Sequence, residues 1–254
     1  MERPQVADVG TIEELLARSA VYHALAVLLR HPEAGLDAWL AAREPHRLSE
    51  VLEWLGSDTR LLEAARRLAQ ALDATSIPEL TRQHERTFGY AVQGGSPPYE
   101  LEYGEEHSHR QPQELSDIAA FYTAFGLRST AGSHERVDHV SAECEFLHVL
   151  CYKQACAVDE EDEEGAHVCE EAVRRFLADH LGRWAPAFAL RLTRAATGGV
   201  LTAVGELLLG WMAQECARAQ VPLGSGDLPL RSPKEQDAGC AACTLSPGVR
   251  PDGC

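Results

Sequence analysis

Between residues 61 and 72 the apolar positions Leu61, Leu62, Ala65, Leu68, Ala69 and Leu72 return every three or four residues, which is one face of a helix. Similar spacing recurs along most of the chain, and no alternating apolar–polar run competes with it. A sequence patterned this way cannot make a half-buried sheet. It can make a helical bundle. Composition points the same way, since Ala, Leu, Glu and Arg abound while Ile occurs three times. The expected fold is all-α, a single helical-bundle domain of about nine helices.

Local signals place many of the helix ends. Thr11 with Glu14 and Ser76 with Glu79 both have the capping-box spacing, and Pro32 closes the first helix. Leu48, Val51, Leu52 and Leu55 predict a short helix ended by Gly56, and a helix through Leu80, His84 and Phe88 runs to Gly89. Further helices are expected at Leu115–Phe125, about 134–157, about 166–181 and about 199–218, with the acidic run Asp159 to Glu164 as a solvated turn. Residues 89–112 carry Gly94, Gly95, Pro97, Pro98, Gly104 and Pro112 and read as a long Pro/Gly-rich hinge loop. The segment from Pro222 has no period. The domain is therefore expected to cover 1–221, with 222–254 a Cys-containing flexible tail.

The formal net charge of −16 and the presence of only two lysines, Lys153 and Lys234, exclude nucleic acid and anionic membranes as natural partners. No secretory or membrane-spanning run is seen, because the longest apolar stretch, Gly199 to Ala213, is short and holds Glu206. A cytoplasmic protein is expected. Five of the eight cysteines fall within helical patterns and read as small core residues.

Two stretches stand out chemically. The first is His84–Gly89 followed by Ser96-Pro97-Pro98-Tyr99-Glu100-Leu101-Glu102-Tyr103-Gly104. Paired prolines fix an extended backbone, two tyrosines offer apolar rings, and Glu100, Glu102, Glu105 and Glu106 concentrate negative charge. That surface suits an apolar peptide carrying arginine; the plainer alternative is a loop without a role. The second stretch is a helix whose core stripe is Val137, Val140, Cys144, Leu147 and Cys151, with Asp138 and His139 in its first turn. The Asp138–His139 pair is either a titrating switch or general base, or simply a favourable first-turn charge beside a surface ring.

The segments RTFGYAVQGGSPPYELEYG, QPQELSDIAAFYTAFGL, ERVDHVSAECEFLHVL and FLADHLGRWAPAF, in this order across residues 84–190, resemble the TorD/DmsD/NarJ family. These are cytoplasmic chaperones that mature molybdenum enzymes of the DMSO reductase superfamily. The second segment is most similar to the subgroup serving type II enzymes. The resemblance implies a non-enzymatic, system-specific chaperone, which binds the twin-arginine leader, N-terminal region or apo form of a type II catalytic subunit. It would assist cofactor insertion and proofreading before export or assembly. It would hold no cofactor of its own, touching the client's molybdenum cofactor at most transiently. It would act as a monomer or a domain-swapped dimer. Carried onto this sequence, the client-peptide surface falls on Phe88, Gly89, Pro97, Pro98, Tyr99, Glu100, Glu102, Tyr103, Asp138, His139 and Glu143. Cys144 stands where the family usually has an apolar residue, a change expected to be tolerated because Cys packs as a small hydrophobe.

An enzymatic alternative is a ferritin-like di-metal site, since Glu145-x-x-His148 and Glu164-x-x-His167 both match Glu-x-x-His. Helices turning near residue 161 would leave the two halves out of line by roughly 10 Å at 1.5 Å per residue. Cys240, Cys243 and Cys254 are weak zinc candidates: three thiolates leave a tetrahedral site one ligand short, unless His107 or His109 completes it. Exposed thiols on a flexible tail are the alternative.

Overall fold

The computed structural model describes residues 10–32, 36–89, 95–104, 111–128, 136–196 and 198–231. Among them are ten α-helices and no strand. The helices are α1 (Ile12–Leu29), α2 (Leu36–Ala41), α3 (Glu44–Trp54), α4 (Thr59–Asp73) and α5 (Ile77–Phe88), then α6 (Gln111–Ala124), α7 (Val140–Asp159), α8 (Glu163–Asp179), α9 (Leu181–Ala195) and α10 (Val200–Arg218). One 3₁₀ turn, Glu100–Glu102, lies in the loop between α5 and α6. The all-α expectation holds. No helix of the described residues is long and apolar enough to cross a membrane.

The caps explain why the helices begin where they do. Thr11 accepts from the Glu14 N–H, Ser76 from Glu79 and Asp58 from Leu61, each satisfying one of the orphan donors of a first turn. Asp162, in the acidic turn, does the same for Gly165 at the start of α8. Helix α7 starts later than its pattern suggested. Its N-cap is His139, whose Nδ1 accepts from the Ser141 N–H, so Asp138 lies outside the first turn and serves another purpose.

The core forms because α1 lies along α7 while α10 packs between α9 and α4. Tyr22, Leu25 and Leu29 of α1, Leu147 and Cys151 of α7, and Leu208 and Trp211 of α10 are fully buried in it. One ionic device crosses this apolar interior. Arg18 of α1 donates to both oxygens of Glu215 on α10, and the Tyr22 hydroxyl donates to Glu215 as well.

Helix α9 was not placed by periodicity, because Pro186 sits inside it. Proline has no N–H for the carbonyl four residues back, so Gly182 is left with a free acceptor. The Gly224 N–H fills that vacancy at 2.9 Å. Residues 222–231, expected as the start of a flexible tail, are instead a strap laid across the bundle. Tyr103 pairs with Leu230 in an antiparallel bridge, the Gly104 N–H donates to Pro229, and the Arg231 N–H donates to Glu102. A strap held by backbone bonds needs no apolar period. Its side chains gave no warning of it.

Candidate functional site

The two singled-out stretches meet. The paired prolines hold residues 97–99 extended, which leaves the Pro98 carbonyl free to accept from the Val140 N–H at 2.9 Å. The Glu100 N–H donates to the Asp138 carbonyl, also at 2.9 Å, so Tyr99 and His139 face each other across an antiparallel bridge. Their rings meet edge to face with centroids 5.2 Å apart. Beyond the bridge the chain makes its 3₁₀ turn and buries Tyr103, whose hydroxyl donates to Pro97 and whose ring lies 5.1 Å from Trp184. Gly104 then needs a positive φ of 103°, which suits its lack of a Cβ.

The carboxylates do not form the open acidic surface expected of them. Asp138 is fully buried; it accepts from the Leu101 N–H and takes a two-pronged contact from Arg136 at 2.9 and 2.7 Å. Burial raises its pKa against the pull of Arg136. Glu102 is paired with Arg136 at 3.3 Å. Glu100 is held by Arg183 at 2.7 Å and by His180 at 3.1 Å. The correction has a physical reason: carboxylates buried this deeply need partners, and the chain supplies its own. Glu105 and Glu106 lie outside the described residues.

His139 is also not the titrating switch or general base considered above. Burial first, then the charges of His84 and Arg136, push its pKa down to about 3, so it stays neutral near pH 7 while its Nδ1 caps α7. Glu143 lies one turn into α7, fully buried, and accepts from the Trp184 indole N–H at 3.0 Å. Burial and the nearby Glu100 charge push its pKa well up. Phe88 is buried rather than presented. It stacks near Phe188, which contacts Trp184 and so joins the ring ladder under Tyr103. Gly89, at a φ of 64°, caps α5 and is exposed.

What remains open to solvent was missed by the sequence reading. A cleft of about 530 Å³ lies between α6 and the α8–α9 junction, with Glu100 and Arg183 at its base and Glu114, Asp117, Ile118 and Asp179 along its walls. Asp117 and Asp179 are exposed. Arg136, His180 and Arg183 also escaped notice. The signal that could have found them is the excess of buried acids in the loop, which demands cations from elsewhere in the chain.

The di-metal alternative fails on placement. Glu145, Glu164 and His167 are exposed, and His148 is bonded to Ser19 of α1. Among the described residues no three His, Cys, Asp or Glu side chains gather where a metal could sit. Cys240, Cys243, Cys254, His107 and His109 lie outside the described residues.

Comparison with known proteins adds a family. Residues 56–190 match the family model described as nitrate reductase delta subunit. The perchlorate reductase assembly chaperone protein of Dechloromonas aromatica is 32% identical over 188 residues, covering 71% of this chain and 80% of that one. The selenate reductase assembly chaperone protein of Thauera selenatis is 28% identical over 184 residues, 71% and 89% of the respective chains. The chlorate reductase assembly chaperone protein of Ideonella dechloratans is 26% identical over 172 residues, 67% and 82%.

Proposed function

From the premise that this chain belongs to the nitrate reductase delta subunit family, we propose that it is a system-specific assembly chaperone for the catalytic subunit of a type II DMSO reductase-family molybdoenzyme. It binds the client's N-terminal or twin-arginine leader region, or its apo form, in the cytoplasm, and it performs no reaction itself. The observation that carries the site is the bridge between Tyr99 and His139, which fixes a half-buried tyrosine and a turn of acids beside an acid-walled cleft.

The cleft has the chemistry for a basic peptide. Asp117 and Asp179 are exposed carboxylates that line the cleft, and the buried Ile118 lies beneath them. An arginine fork pairs well with carboxylates, and each charge-assisted bond contributes on the order of 1.5–3 kcal/mol. The net charge of −16 draws a basic leader in from a distance.

Two measurements test this reading. Tagged protein recovered from a host expressing a type II molybdoenzyme should carry that enzyme's catalytic subunit. Calorimetric titration with the client's synthetic N-terminus should show affinity falling at least tenfold in Tyr99→Ala and in Asp117→Asn/Asp179→Asn, with melting temperatures kept. Asp138 and His139 are buried, so their loss acts on folding and is less informative. Unchanged affinity in both variants removes the peptide from this cleft; no catalytic subunit in the pull-down removes the function.

A further inference from the structure

The cluster around Arg136 is built like a receptor for a guanidinium, and its guanidinium comes from the chain itself. Arg136 forks onto Asp138 through Nε and Nη2 at 2.9 and 2.7 Å, reaches Glu102 through Nη1 at 3.3 Å, and lies over the Tyr99 ring with its central carbon 4.6 Å from the centroid. Two carboxylates below and an aromatic face alongside make a seat that fits a planar, forked cation far better than an ammonium. Exposure is divided unevenly. The Asp138 side chain is 0% exposed and Glu102 9%, but Arg136 is 36% exposed. Solvent reaches the seat mainly where the arginine fills it.

We propose that Arg136 is a resident stand-in for a client arginine, holding the seat made by Tyr99, Glu102 and Asp138 and giving it up to the guanidinium of an incoming peptide. This rests on the client-peptide reading above and adds how the site is kept and how it discriminates. Exchange of one guanidinium for another never leaves the buried carboxylates unpaired, which is the costly alternative. It also leaves the local backbone alone. The bonds from Val140 to Pro98 and from Glu100 to Asp138 are main-chain bonds, so Arg136 can swing outward by side-chain rotation alone. The seat lies on one side of the 3₁₀ turn, through Glu102, and the cleft on the other, through Glu100. A peptide with adjacent arginines thus finds one station on each side. A lysine lacks the fork that would displace Arg136, so the stand-in works as a filter.

The test uses the full chain, ¹⁵N-labelled at arginine, and a synthetic peptide of two adjacent arginines followed by an apolar run. A matched peptide with both arginines changed to lysine is the control. The expected result is that saturating arginine peptide shifts the Arg136 Nε–H resonance and speeds its exchange with water, while the lysine peptide does neither. In Arg136→Gln the internal competitor is gone, so affinity for the arginine peptide should rise by roughly tenfold. Should Arg136→Gln fail to fold, the resonance in the wild-type chain decides the matter alone. Binding of the arginine peptide with the Arg136 resonance unmoved overturns the proposal and leaves client binding intact. Binding to neither form overturns both. A folded Arg136→Gln that binds no more tightly makes Arg136 a structural tie and nothing more.

Discussion

Trp184 donates its indole N–H to Glu143 at 3.0 Å in a place where both side chains are fully buried. The carboxyl takes no other bond among the described residues, since its second oxygen is without a partner. Burial and the Glu100 charge hold its pKa well up. The folded state therefore keeps a proton that the unfolded chain releases above about pH 4.3, and stability falls as pH rises past that value. Glu143→Gln should match the wild type within about 1 kcal/mol near pH 5 and exceed it at pH 8. Urea unfolding at the two pH values reads this directly; a variant weaker at both would mean the carboxylate is charged.

The buried histidines tilt stability the other way. His139 is held down to about 3 and His84 to about 4, in both cases chiefly by burial. Below about pH 6.5 the unfolded chain binds protons that these folded rings refuse, so acid destabilises. Moving from pH 7 to 5 should cost about 2 kcal/mol per ring at most. His139→Asn retains a capping side chain and should flatten the acid slope of melting temperature. An unaltered slope would show that the ring is protonated in the fold.

Arg18 and Glu215 join α1 to α10 inside the core. Arg18→Met alone leaves Glu215 with too little positive charge and should cost about 3–5 kcal/mol. Adding Glu215→Leu should recover most of the loss. Denaturant titrations of the two single variants and the double variant give the coupling energy, and simple additivity would refute the pairing.

A Cβ at Gly224 would lie 1.9 Å from the Arg183 carbonyl oxygen, well inside van der Waals contact with backbone. Gly224→Ala should therefore lift the strap from α9, lowering stability by roughly 1–3 kcal/mol and opening residues 222–231 to protease. Native melting and an unchanged digestion pattern would show that the strap is not seated as described.

Local signals were legible in the sequence because they act over a few residues. Thr11, Ser76 and the apolar stripe of α4 carry their own reasons. The proximity of Tyr99 to His139 was legible only through family resemblance, since a separation of 40 positions imposes no periodic relation. Charge partners were not legible at all. Glu100 and Arg183 lie 83 positions apart, and a run of glutamates looks the same on paper whether it faces water or a buried arginine. Pro186 hid α9 for a physical reason too: the bond it forfeits is replaced from the strap, where no local rule applies.

The strap has a consequence for the protein's own synthesis. Leu230 completes the pairing of Tyr103, and Arg231 closes onto Glu102, contacts between residues more than 120 positions apart. The helices up to α8 can pack as they emerge from the ribosome. The loop bearing Tyr99 is tied to Asp138 and Val140 by then, but the strap closes over Glu102 and Gly104 only once residue 231 has cleared the exit tunnel. A nascent copy of this chain thus has an open strap until residue 231 is out of the ribosome, and a copy truncated before residue 222 never closes it.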